Sequence, residues 1–146
     1  MNHFLLPYKF KWIGAVLIFM GLVELVFYLW FDFRITLPVF AVFSSFLETK
    51  MFTSFRTNIA DELIMMTLLA GFFLTVFSKE KKESEILGKL RAEALSKAVL
   101  TNVFVLVFSI LFIYGNGFFA ILLLNLYSVF IFYLIFLNFL KRKELH

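Results

Sequence analysis

The chain has 146 residues, a length for one domain, yet 62% of them are hydrophobic and its mean hydropathy is +0.95; soluble domains are only about half apolar. It has no cysteine, which excludes disulfides, thiol redox chemistry, Fe–S clusters and Cys-type zinc sites. A net charge of +4 and a pI of about 9.4 would suggest nucleic acid in a soluble protein, but here the basic residues flank apolar runs, so membrane topology accounts for them and direct nucleic-acid binding is not expected.

Four runs are long enough to cross a hydrocarbon core about 30 Å thick, which takes roughly 17–25 helical residues. They are Trp12–Phe31, Ala60–Phe77, Ala98–Tyr114 and Phe118–Leu140. In lipid the backbone must satisfy its own hydrogen bonds, so each run reads as a helix. The expected architecture is a single all-α membrane domain, residues 1–146, with four transmembrane helices arranged as two antiparallel hairpins.

Lys9 and Lys11 lead into the first run. That run is too long for a cleavable signal and lacks a small-residue cleavage site, so it reads as a retained anchor. Glu24 is its one deep ionisable residue, and an ionisable group inside a span raises a functional hypothesis. It shares a helical face with Gly14, Leu17, Gly21 and Tyr28, and the glycines would let another helix approach closely. Counted by depth at helical rise, Tyr28, Thr67, Asn125 and Ser128 fall in the same outer layer as Glu24, whereas Asn102 falls nearer the inner surface. Glu24 and Asn125 are therefore expected to share a buried polar cluster with Tyr28, Thr67 and Ser128.

Asp32–Ile59 is too apolar for a solvated loop and too interrupted for another span. Pro38 and its β-branched neighbours favour an extended start. The spacing of Phe46, Leu47, Met51 and Phe55 suits a short amphipathic helix, so the segment reads as a cap on the outer interface or over the helix ends. Asn58 can cap the second run, and Asp61 and Glu62 sit at the positive end of its helix dipole. A lesser reading gives these two carboxylates a role in cation or proton capture at the outer mouth.

The hydrophilic stretch from Ser78 to Lys97 divides the chain into two greasy halves. Lys81, Glu85, Lys89, Glu93 and Lys97 stand four apart with alternating sign, while Leu87, Leu90, Ala94 and Ala98 fall on the opposite side. From about Ser84 this predicts an amphipathic helix running unbroken into the third span and projecting about 20 Å beyond it. With Arg91, these charged residues form a candidate partner surface on a cytoplasmic charged helix over 79–97. Gly115-Asn116-Gly117 is a tight turn that makes the last two helices antiparallel neighbours.

All but three of the 14 Lys and Arg lie before the first run, in the central stretch or after the last run; Arg34, Lys50 and Arg56 are the exceptions. This asymmetry places both terminal stretches in the cytoplasm of a multi-pass inner-membrane protein. His3 and His146 lie at the two ends, and there is no Gly-rich phosphate loop, nucleophile elbow or His-Glu-x-x-His pattern. The expectation is a protein that is not an enzyme and has no metal or cofactor.

Across Asp61–Leu140, an Asp-Glu opening one span, then Ser-Lys-Glu-Lys-Lys-Glu-Ser-Glu-Ile, then Leu-Arg-Ala-Glu-Ala-Leu leading into the next span, resembles small bacterial four-span membrane proteins of unknown function. These often accompany a small helix-turn-helix regulator, which implies a membrane partner or sensor role and transfers no site residue. Glu24 in the first helix is similar to the first-helix glutamate of small multidrug resistance transporters; the charged central helix and the long outer connection depart from that pattern. The function expected is an accessory, scaffold or sensor-like subunit that meets a cytoplasmic or membrane partner through the charged helix. The alternative is an oligomeric proton- or cation-coupled transporter using Glu24.

Overall fold

A serine followed by an apolar-periodic run is a helix start, and Ser84 caps one here: its Oγ accepts from the Leu87 N–H at 3.2 Å. The computed structural model describes residues 5–45, 49–81 and 84–145, and in chain order these form α1 (Lys9–Phe31), β1 (Thr36–Ser45), β2 (Thr49–Asn58), α2 (Ala60–Val76), α3 (Glu85–Phe112) and α4 (Asn116–Leu145). They make two compact units, one of Met1–Ala15 with Gly71–His146, the other of Val16–Ala70.

In the first unit α3 and α4 form an antiparallel helical hairpin. Its turn contains Gly115 at φ +70, the left-handed region that a residue without Cβ enters at no steric cost. The amphipathic pattern of residues 84–98 is realised as expected. Leu87, Leu90, Ala94 and Ala98 are buried against Tyr133, Leu137 and Leu140 of α4, and the two alanines are fully buried where small side chains let the helices close. Phe72, near the end of α2, stacks on Phe130 with ring centroids 6.0 Å apart. Leu6 pairs with the chain just after α2: its N–H donates to the Phe77 carbonyl at 2.9 Å, and its carbonyl accepts from the Lys79 N–H at 2.8 Å. Gly14 of α1 lies close against the end of α2, as its face predicted; a Cβ there would sit 2.7 Å from the Gly71 carbonyl oxygen.

The second unit corrects the all-α expectation. β1 and β2 pair antiparallel, from Thr36 opposite Asn58 to Ser45 opposite Thr49. The extended start at Pro38 is present, but the amphipathic helix around Met51 and Phe55 is not; Phe46 and Leu47 lie outside the described residues. The error has a physical source. Positions four apart share a face on a strand as well as on a helix, so Met51 and Phe55 satisfy both periods. Thr53 and Thr57 fall in phase with them at period two, and β-branched residues on a pleated, half-buried face favour the strand. β1 then supplies the ladder that β2 needs. The base is closed by the Ile59 N–H on the Ile35 carbonyl (2.9 Å) and by Asn58 Oδ1, which accepts from the N–H groups of Ile35 (2.9 Å) and Ala60 (3.2 Å). Asn58 thus accepts the first N–H of α2 from one residue outside the cap position, which Ile59 holds, while also tying the hairpin to the helix. Phe52 has φ +50, an uncommon conformation for a bulky residue.

The count of spanning helices is also corrected. Among the described residues, three helices are long and apolar enough to cross a membrane: Lys9–Phe31, Glu85–Phe112 and Gly117–Glu144. α2 has 17 residues, about 25 Å at 1.5 Å per residue, the lower limit for a core about 30 Å thick, and is not one of the three. It ends within one residue of the expected Phe77, whose N–H still donates to the Phe73 carbonyl at 2.9 Å; Ser78 then turns its hydroxyl back to the Leu74 carbonyl and the following chain pairs with Leu6. Large apolar side chains lie bare along these helices, among them Phe19, Trp30, Phe104 and Phe119, each about two-thirds exposed or more. Continuous apolar surface on that scale marks membrane association.

Candidate functional site

The candidate residues separate into four places. In the Val16–Ala70 unit, Glu24 projects from α1 beside a cavity of about 260 Å³ lined by Phe33, Ile35, Ala60, Leu63 and Ile64. Its Oε2 is buried and has no hydrogen-bond partner among the described residues. A carboxyl oxygen removed from water without a partner is costly, so this is the most exceptional polar atom of the unit. Gly21, one turn before it, faces Leu68 of α2: a Cβ there would lie 2.7 Å from Leu68 Cδ2. Tyr28 and Thr67 are half-buried in the same unit but do not line the cavity. Asp61 and Glu62 are exposed in the first turn of α2, and Glu62 borders a second apolar hollow of about 380 Å³ with Val39, Thr57, Ile59, Leu63 and Met66.

Asn125 and Ser128 belong to the other unit, where their partner is Asn102. Asn102 Nδ2 donates to Asn125 Oδ1 at 3.1 Å, and Asn125 Nδ2 donates back to Asn102 Oδ1 at 3.3 Å. The Ser128 hydroxyl donates to Asn102 Oδ1 and also reaches the Asn125 carbonyl, at 2.9 Å. This is a closed polar clasp between two apolar helices, and it holds Asn102, which depth counting had set nearer the inner surface. That count started from the ends of the apolar runs. Counting from the helix ends at the Gly115 turn would have found the pair, because Asn102 stands ten residues before Phe112 and Asn125 nine after Asn116.

A second group missed from the sequence is an ion cluster. Glu80 Oε1 accepts from Lys11 Nζ at 2.6 Å and also from Lys141 Nζ. It joins the start of α1, the connection between α2 and α3, and the far end of α4. Burial of the carboxyl works to raise its pKa, but the two ammonium groups outweigh this and hold it below the ordinary value. Each of the three residues borders an apolar run on the basic side of the chain, and that shared depth is the signal from which the cluster could have been read.

The charged helix expected over 79–97 starts at Glu85, so Lys81 lies before it, on the non-helical chain that follows α2; Lys81 and, on α3, Glu85, Lys89, Glu93 and Lys97 are exposed, as expected. Of the alternating ladder, the Glu93–Lys97 rung is closed, at 2.7 Å. Arg91 departs from this surface. It is half-buried, and its Nη2 donates to the Ser78 carbonyl at 3.1 Å, tying α3 to the chain that follows α2.

Among the described residues no three His, Asp or Glu side chains gather as a metal site. No protein-family model, curated protein or solved structure matches this chain.

Proposed function

We propose that the protein is a non-catalytic subunit of the inner membrane whose partner docks on the exposed face of α3 formed by Glu85, Lys89, Glu93 and Lys97. The observation that carries this reading is the division of α3 into two faces. Leu87, Leu90, Ala94 and Ala98 are locked against α4, so the charged face is presented on a rigid support. Preorganisation of that kind lowers the ordering cost of binding, and alternating charge gives register to a complementary surface. The terminal stretches and the α2–α3 connection are assigned to the cytoplasm. Supporting this, Lys11, Glu80 and Lys141 meet in one cluster, and the Lys and Arg residues concentrate around it. The test is cross-linking in native membranes followed by purification, comparing the wild type with Lys89→Glu/Lys97→Glu. The charge-reversed chain should lose a partner that the wild type retains, with its own yield and helicity unchanged; equal recovery of the partner removes this surface from consideration.

A second reading rests on Glu24. An unpartnered carboxyl oxygen beside an apolar cavity is suited to exchange a proton for a lipophilic cation. In proteoliposomes Glu24→Gln should then abolish a pH-dependent flux while the protein stays folded. Unchanged flux with altered thermal stability assigns Glu24 to packing alone.

A further inference from the structure

The Lys11–Glu80–Lys141 cluster has a surplus of positive charge. Two ammonium groups share a single carboxylate oxygen. Arg91, held on the Ser78 carbonyl, lies close enough for its charge to act on Lys141. An ammonium carries three donors, and Lys11 and Lys141 each give one to Glu80. Their side chains keep 30% and 19% of their accessible surface, so the cluster is lined by protein yet open to an approaching group.

Its surroundings are those of a headgroup layer. Tyr8 and Trp12 stand at the start of α1 with Trp12 Nε1 donating to the Tyr8 hydroxyl at 3.2 Å, and amphipathic rings of this kind mark membrane–water boundaries. Lys9, Arg142 and Lys143 flank the cluster in sequence and are exposed. Trp12 and Phe139, apolar neighbours of Lys11 and Lys141, are 66% and 65% exposed. A ligand that suits both features has an anionic phosphate for the ammonium groups and acyl chains for the bare apolar surface beside them.

We propose that Lys11 and Lys141, with Arg91 behind them, bind the phosphate of an anionic phospholipid headgroup. Glu80 holds the two ammonium groups together when the lipid is absent and partly neutralises them, so it competes with the lipid for them. This inference does not depend on the docking face of α3 or on Glu24.

The experiment measures the thermal midpoint of the full chain in uncharged detergent during titration with phosphatidylglycerol, with phosphatidylcholine of the same acyl chains, and with inorganic phosphate. Phosphatidylglycerol should raise the midpoint saturably, and the other two should not. If phosphatidylcholine does as well, the headgroup charge is irrelevant and the site is overturned. If inorganic phosphate does as well, the ligand is the free anion and the lipid assignment falls. Lys11→Gln and Lys141→Gln should each weaken half-saturation about fivefold, the equivalent of about 1 kcal/mol per cationic side chain near an anionic surface, while Arg56→Gln, at an exposed cation of β2, leaves it unchanged. Because a lysine variant could fold poorly, Glu80→Gln is the second arm. It keeps both ammonium groups and removes their internal competitor, so it should tighten half-saturation; weaker binding in that variant refutes the proposal.

Discussion

Asn102 and Asn125 face each other across the α3–α4 hairpin, each donating its side-chain amide to the other's side-chain oxygen, at 3.1 and 3.3 Å. Reciprocal amide pairing fixes helix register in a way that apolar contacts cannot, since a shift of one residue separates both groups. In lipid-like surroundings such bonds contribute around 1 kcal/mol or less, but an amide left without its partner is penalised more heavily.

That asymmetry gives a prediction. Asn102→Leu alone leaves Asn125 and Ser128 facing an apolar side chain and should lower stability in detergent by about 1–2 kcal/mol. Asn102→Leu/Asn125→Leu should recover part of that loss. Strictly additive losses, measured by equilibrium unfolding, would mean that the two residues do not interact.

The glycines should respond differently to alanine. Gly14→Ala drives a Cβ to 2.7 Å from the Gly71 backbone oxygen, which cannot move aside. Gly21→Ala meets Leu68 Cδ2 and Cγ at 2.7 and 2.8 Å, so the whole Leu68 side chain must shift, but no α2 backbone atom lies closer than the Leu68 nitrogen at 3.3 Å. Gly88 lies in the interior of α3 with nothing within 4 Å of a Cβ, so Gly88→Ala should stabilise by about 0.5–1 kcal/mol through helix propensity. The expected order of thermal midpoints is Gly88→Ala above wild type, Gly21→Ala somewhat below it, and Gly14→Ala lowest.

Glu80 supplies a pH dependence. Its folded-state pKa lies below the ordinary value of 4.5, so its contribution to stability is fully present above that value and is lost as pH falls through the lower folded-state value. The thermal midpoint of the wild type should fall on acidification below about pH 4.5, and Glu80→Gln, less stable at neutral pH, should lack this component. Parallel acid profiles for the two proteins would remove Glu80 as its source.

Loss of the α3 cap should be local. Ser84→Ala removes the oxygen that accepts from the Leu87 N–H, at a cost of about 1 kcal/mol. Hydrogen exchange should accelerate in the first turn of α3 and stay unchanged near Asn102. Uniform acceleration along the helix would show that the cap secures more than its own turn.

The single-chain pattern determined the apolar helices, the start of α3 near Ser84, the burial of Leu87, Leu90, Ala94 and Ala98, and the turn at Gly115, because each follows from periodicity or local backbone chemistry. It also placed Gly14 and Gly21 on a closely approached face, since only residues without a Cβ fit there. Tertiary structure decided the rest. Met51 and Phe55 satisfy helical and strand spacing equally, and pairing with β1 selected the strand. The chain after α2 pairs with Leu6, far away in sequence. Asn102 found Asn125, and Glu80 found Lys11 and Lys141, because partners in such clusters are set by which helix levels coincide in space, and a hydropathy profile carries no record of that.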